Sequence, residues 1–306
     1  MGMTGFYGEA DDVESERTLG RALELGCDFW DSAEAYGPET NERLLGRVLG
    51  SRRDRVFIAT KFGVRIDPRT LRRSIDGSPG NVRRSCEASL GRLGVDRIDL
   101  YYPHRVDPST PIEDTVGAMA DLVKEGKVRY VGLSEPGADT IRRAHRVHPI
   151  TAVQIEYSLW TRDVEATILP LLRELGIGLV AYAPLGHGFL TGRVRDPQKL
   201  GTADFRRTQP RFAVQNLVHN LALVDRLGGL AATKGVTPAQ LALSWVLHRG
   251  EDVVPIAGTK RVSWLEENLA AARVRLTPRE IAQIGEAIGE PAGDRYDPGG
   301  MRAVGV

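Results

Sequence analysis

Short apolar runs alternate with longer stretches of helical period along most of the chain. CDFWD (27–31), RVFIATK (55–61), RIDLYYPH (97–104), YVGLS (130–134), AVQIE (152–156), GLVAY (178–182) and DVVPIAG (252–258) read as strands. They are apolar on both faces and rich in Val, Ile and Leu, as in a parallel sheet covered by helices. Between them lie amphipathic stretches. Leu19, Ala22 and Leu23 share one helical face, and Leu44, Leu45, Val48 and Leu49 share another. Ser78-Pro79 predicts a helix start with Ser as cap and Pro at the first helical position, running to Leu93. Thr110-Pro111-Ile112-Glu113, Thr237-Pro238-Ala239-Gln240 and Thr277-Pro278-Arg279-Glu280 read as capping boxes. Helices are also expected over 137–146, 163–175, 215–231 and 262–271.

Regular alternation of strand and helix predicts a βα-barrel. Seven strands are legible, so an eightfold barrel is short of one. The chain begins too late to supply the missing strand in full. An unpaired strand edge facing solvent would be an association hazard, so the expectation is an upstream start or a neighbour over the gap. Nothing marks a domain boundary, and residues 1–306 read as one domain. Loops are expected at 62–77 and 183–214, and an irregular Gly- and Pro-rich tail at 290–306.

Composition narrows the function. Lys and Arg total 41 against 40 Asp and Glu, which provides no general field for nucleic acid or an anionic membrane. No apolar run approaches the ~20 residues of a membrane span. MGMTGFYGEADD lacks the basic and apolar regions of a signal peptide. Cys27, read as part of an apolar strand, and Cys86, on a helix, fit buried reduced thiols. A cytoplasmic protein is expected, with a homo-oligomer left open.

The candidate chemistry sits at the strand ends. The first strand stops at Asp31, and Tyr36 follows in the turn; the next ends on Lys61 and the third on His104. A phenol titrates near ~10, and a nearby ammonium lowers that value. Lys61 can play that part for Tyr36, with Asp31 fixing the lysine. His104 can donate to a substrate oxygen or tune the tyrosine. Together they make a general acid beside a polarised carbonyl. Singly, each has an ordinary reading as a turn cap, a solvated lysine or a turn aromatic. Their common place at one barrel end favours function. No side chain supplies hydride, so carbonyl reduction needs a nicotinamide. HExxH, Cys/His clusters, GxSxG and GxxxxGK[ST] are all missing from the sequence, and GHGFLTG (186–192) departs from the Rossmann glycine spacing.

DSAEAYG, ATKFG and YYPHRVDP resemble the aldo-keto reductase superfamily. GLSE, QIEYSLW, AYAPLGHGFLTG and IAGTKRVSWLEENL follow in that family's order, and the last two most resemble its short-tailed members. The resemblance implies a (β/α)8 TIM barrel, with the first strand and amino-terminal hairpin truncated because Met1-Gly2-Met3 stands where the family's first strand would end, and the tetrad Asp31, Tyr36, Lys61 and His104. It also implies NADPH bound extended, as the reductant of a small aldehyde or ketone. It assigns Ser134 and Gln154 to the nicotinamide carboxamide and Tyr182 to the nicotinamide ring. Pro184, Leu185, Gly186 and Gly188 would wrap the pyrophosphate. Thr259, Lys260 and Arg261, at a helix amino terminus, would take a 2′-phosphate, and Glu267 and Asn268 adenine. The family's arginine near Trp264 is replaced here, so Trp264 would stack on adenine and Lys260 with Arg261 would carry the charge. Phe6, Tyr7, Phe62 and Trp160 are expected in a substrate pocket that the Gly-rich tail leaves open. An NADP(H)-binding sensor subunit and a barrel inactivated by strand loss stand as alternatives, since fold alone does not choose.

Overall fold

The computed structural model describes residues 2–5, 7–66 and 73–305. Seven parallel strands form its main sheet. They are β1 (Phe29–Asp31), β2 (Phe57–Phe62), β5 (Ile98–Pro103), β6 (Val128–Ser134), β7 (Ala152–Glu156), β8 (Gly178–Tyr182) and β9 (Val253–Ile256), paired in that order. A separate antiparallel hairpin joins β3 (Val64–Ile66) and β4 (Arg73–Ile75), where the sequence predicts only a loop. The helices are α1 (Asp12–Glu24), α2 (Thr40–Leu49), α3 (Pro79–Leu93), α4 (Ile112–Lys124), α5 (Ala138–Val147) and α6 (Ile168–Leu175). They continue with α7 (Val214–Thr233), α8 (Pro238–Leu247), α9 (Val262–Ala270), α10 (Pro278–Ile288) and the short α11 (Pro298–Met301). The sheet curls into a nearly closed barrel.

Side chains alternate along each strand, and the two faces divide the core. One set (Leu44, Ile58, Tyr101, Val131, Val153 and Leu179 among them) packs between sheet and helices. The other is smaller: Ala59, Leu100, Tyr102, Ala152 and Val180, with Phe29, Phe57, Tyr130 and Ile256 beside them. In the same strand phase, two residues on from Phe29, Ala59, Ala152 and Val180, come Asp31, Lys61, Gln154 and Tyr182, and four on from Tyr130 comes Ser134. A period of two therefore delivers polar side chains to the carboxyl end of the lumen. Gly132 is required there. A Cβ on it would meet the Tyr102 ring at 2.3 Å.

Two capping boxes form as predicted, at Thr237 with Gln240 and at Thr277 with Glu280. Two caps do not. The Ser78 hydroxyl donates to Asp76 Oδ1 at 2.6 Å and leaves the helix end alone. Thr110 Oγ1 donates to Asp107 Oδ2 at 2.9 Å, so α4 starts without a side-chain cap. In both cases donation to a nearby aspartate turns the hydroxyl away from the helix amides. The stretch 163–175 begins as a separate 3₁₀ turn, Asp163–Glu165, before α6. Cys27 precedes β1 and is only partly buried; Cys86 is fully buried, and both are free thiols. Among the described residues, no helix is long and apolar enough to cross a membrane.

Among the described residues, β1 pairs only with β2, and β9 only with β8. Their seam is held by neighbouring elements. Met3 is 2 % exposed and joins the core. Arg21 of α1 bonds Glu266 of α9 at 2.9 Å, and Lys260 Nζ donates to the carbonyls of Tyr7 (2.9 Å) and Glu9. The edge that the sequence leaves facing solvent is thus partly covered from within the chain, although Val254 of β9 remains exposed.

Candidate active site

Neighbouring strands in register set the geometry. Asp31 lies opposite Ala59, Lys61 opposite Tyr102 and Ser134 opposite Gln154. Lys61 Nζ bonds Asp31 Oδ1 and the Ser32 carbonyl, the latter at 2.7 Å. Asp31 Oδ2 accepts from Gln154 Nε2 at 2.8 Å. Lys61 is 0 % exposed and Asp31 7 %. An ammonium this deep persists only if it is paired and hydrogen-bonded. Burial works against its charge, but the Asp31 carboxylate and Tyr36 more than offset this and raise Lys61 above the ordinary lysine range.

Tyr36 joins this pair from the turn after β1. Lys61 Nζ lies 5.1 Å from the centroid of its ring. The His104 ring stands edge-on to it, centroids 5.6 Å apart. The structure therefore brings all four predicted residues together. The backbone N–H of His104 donates to the Phe62 carbonyl, which anchors the loop after β5. His104 Nδ1 is buried with no hydrogen-bond partner among the described residues. Burial, then the charges of Lys61 and Arg105, hold the imidazolium well below the ordinary histidine range.

That shift predicts a pH dependence of stability. The unfolded chain takes up the His104 proton near pH ~6.5 and the folded protein does not. His104 therefore contributes stability that is present above that pH and lost as pH falls below it. The slope is up to ~1.4 kcal/mol per pH unit. Urea unfolding at pH 7 and pH 5 should show wild type losing about 2 kcal/mol more than His104→Gln. Equal losses would refute the assignment.

A second shell of charge surrounds the mouth, and the sequence reading missed it. Glu135 follows β6 with φ +53° and is 2 % exposed. Its Oε1 accepts from the backbone N–H of Glu156 (3.0 Å) and from Tyr182 Oη (2.7 Å), with Arg295 Nη1 at 3.4 Å. Glu156 ends β7 at 0 % exposure and accepts from Thr161 Oγ1 at 2.8 Å. Burial alone would raise the Glu156 carboxyl, but His187, Arg211 and Arg295 pull it down to about 2. Both glutamates sit at strand ends, so the rule that found Asp31 and Lys61 could have found them. Arg295 and Tyr296 carry no such signal. They lie in the tail, which the sequence leaves irregular and away from the pocket. Instead the tail crosses the mouth: Tyr296 Oη is 2.7 Å from Tyr182 Oη, and the Gly305 N–H bonds the Glu135 carbonyl at 3.1 Å.

The remaining predicted positions fall in several places. Phe62 stacks on Tyr101 in the core and Trp160 packs on Phe189, so both are buried packing residues and not pocket walls. Phe6 lies outside the described residues. Tyr7 reaches the mouth, its hydroxyl 2.8 Å from His187 Nδ1. After Tyr182 the chain curls sharply through Pro184 and Leu185: Ala183, Gly186, His187 and Gly188 all have positive φ. Within this curl the N–H groups of Gly186 and Gly188 bond back to the carbonyls of Ala183 and Leu185, at 2.8 and 3.0 Å, which holds the turn closed. At the start of α9, Trp264 lies between two guanidinium groups, Arg261 at 4.8 Å and Arg193 at 5.7 Å. Arg193 also pairs with Glu267 at 2.7 Å. Lys260 is spent on the amino-terminal segment, and Thr259 Oγ1 bonds the backbone of Arg261. Asn268 lies on α9.

Comparisons with known proteins agree on one family. The model of the Aldo/keto reductase family matches residues 1–288. A soybean (Glycine max) protein, "Probable aldo-keto reductase 1", is 49 % identical over 302 residues, spanning 97 % of this chain and 86 % of its own. Among solved structures, glycerol dehydrogenase from Gluconobacter oxydans superposes with a TM-score of 0.83 at 27 % identity, covering 97 % of this chain and 91 % of that one. An aldo/keto reductase from Klebsiella pneumoniae in complex with NADP and acetate superposes with a TM-score of 0.74 at 26 % identity, covering 96 % and 93 %.

Proposed function

This chain belongs to the aldo/keto reductase family, and from that premise we propose that it is an NADPH-dependent reductase of a small aldehyde or ketone, with Tyr36 as the proton donor. The observation that carries this reading is the convergence of Tyr36, Lys61 and His104 at one end of the lumen. The cofactor, when bound, supplies the hydride.

The residues present fit such a group. Gln154 spends its Nε2 on Asp31, which leaves Oε1 to accept from a carboxamide. Ser134 presents its hydroxyl beside it, one strand away. Tyr182 offers its ring at the end of β8. The curl through Pro184, Leu185, Gly186 and Gly188 would wrap a pyrophosphate; the Gly186 and Gly188 N–H groups already bond the Ala183 and Leu185 carbonyls at 2.8 and 3.0 Å, so contact there needs them shared or released. Thr259, Arg261 and the first turn of α9 suit a 2′-phosphate. Trp264, Glu267 and Asn268 then form the adenine end. The structure shifts weight among them: Arg261 and Arg193 flank Trp264, while Lys260 tethers the chain near Tyr7.

Within that frame the chain's own residues act on the carbonyl. His104, neutral across the working range, donates a hydrogen bond to the carbonyl oxygen without bringing a charge. Tyr36 transfers its proton to the same oxygen. Lys61 stabilises the phenolate left behind, and Asp31 holds the lysine in place. The tail residues Arg295 and Tyr296 close one side of the mouth and limit water. Two free thiols fit work in a reducing cytoplasm.

The test is NADPH binding by fluorescence quenching, followed by loss of absorbance at ~340 nm with a panel of aldehydes. Binding with turnover supports the reductase. Binding without turnover on any carbonyl would favour a regulatory NADP(H)-binding subunit, and loss of both would sink the reading.

A further inference from the structure

Four cations near the mouth have carboxylate partners within 4.0 Å. Lys61 pairs with Asp31, Arg206 with Asp204, Arg211 with Glu156 and Arg295 with Glu135. Arg105 has none among the described residues. It follows His104 directly and is partly buried. One arm of its guanidinium is fixed: Nη1 donates to the His104 carbonyl at 2.8 Å and lies 3.4 Å from Ser134 Oγ. Nε and Nη2 make no hydrogen bond to a described residue. Its neighbours around the mouth include Tyr182, Tyr296, Glu135 and Tyr36. An oriented, half-buried guanidinium with its fork uncommitted is an anion receptor awaiting a planar acceptor.

We propose that Arg105 binds the carboxylate of an anionic carbonyl substrate, so that the substrates of this site are short oxo acids. The inference rests on the reductase reading above. The position of Arg105 beside His104 places the carboxylate within a few bonds of the carbonyl that His104 and Tyr36 receive, as in a 2-oxo acid or a short semialdehyde acid. A carboxylate fits better than a phosphate. The fork matches either, but the Glu135 side chain is among the neighbours of Arg105 and opposes a dianion more than a monoanion.

The experiment pairs each acid with its methyl ester: glyoxylate with methyl glyoxylate, and 4-oxobutanoate with methyl 4-oxobutanoate. The readout is the acid-to-ester ratio of kcat/KM. Wild type should prefer the acids. Arg105→Gln should lower that ratio by roughly 30- to 100-fold, the range of a charge-assisted hydrogen bond, mainly through the KM of the acid. Arg105→Lys, which keeps the charge but loses the fork, should restore part of it. A ratio that moves less than about 3-fold in Arg105→Gln, with acid and ester weakened together, would mean a structural role and overturn the proposal. So would a wild type indifferent to the acid. If wild type reduces no member of either pair, the reductase reading fails, and the carboxylate site is judged by calorimetry alone. Benzoate should bind the NADP⁺-loaded wild type and bind Arg105→Gln roughly 30-fold more weakly or more. Equal benzoate affinity would overturn the site independently of turnover.

Discussion

Tyr36→Phe should bind NADPH within about 3-fold of wild type yet lose roughly 10²- to 10⁴-fold in kcat, the span expected when a general acid is removed. The change deletes one oxygen and keeps the ring, so the edge-to-face contact with His104 and the Lys61 approach to the ring centroid survive. Lys61 keeps its bonds to Asp31 and Ser32, so the lumen stays folded. The proton donor and its hydrogen bond with Lys61 disappear together. The loss should fall on kcat and kcat/KM together, because an acid acts in the transition state and contributes little to ground-state binding. Single-turnover absorbance changes with a saturating aldehyde would separate this from slow product release. A variant that retains more than about a tenth of wild-type kcat would hand the proton-donor role to another group, with His104 first in line.

Much of this arrangement could be read from the chain, and the reason is local. Six strands end where the apolar run ends, and a period of two sends alternate residues into the lumen. Asp31, Lys61 and His104 are legible for that reason, whereas Ser134, Gln154 and Tyr182 are marked only by the family resemblance. Glu156 falls in the same phase as Gln154 and Glu135 stands one residue past the end of β6, yet a glutamate past an apolar run looks like any solvated strand end until its partners are known. Those partners come from far away. Arg211 lies in the connection after β8, and Arg295 and Tyr296 in a tail with neither helical nor strand period. No spacing argument places such residues, because their position depends on backbone bonds such as those from Asn220 to Arg211 and Ala292. The failed caps at Ser78 and Thr110 have a similar cause. The motif is local, but the aspartate that takes the hydroxyl is positioned by the loop around it. Lys260 shows the converse: its place at a helix start was legible, and its engagement with Tyr7 and Glu9 was not.

The Asp31–Lys61 pair should dominate the stability of the lumen. Lys61→Met should cost about 3–5 kcal/mol in urea unfolding, because it leaves the Asp31 carboxylate buried with only Gln154 Nε2 to stabilise it. The double variant Asp31→Asn/Lys61→Met should recover most of that loss. Asparagine removes the orphaned charge, and methionine fills the stem of the lysine with little change in volume. Recovery of stability would not bring recovery of turnover, since the ammonium beside Tyr36 is absent from both variants. The two readouts therefore separate the structural work of the pair from its chemical work. A loss below about 1 kcal/mol in Lys61→Met, the range of an exposed pair, would mean that solvent reaches the ammonium in the native state. A double variant no more stable than Lys61→Met would mean that the cost lies in packing around the lysine stem and not in the unpaired carboxylate.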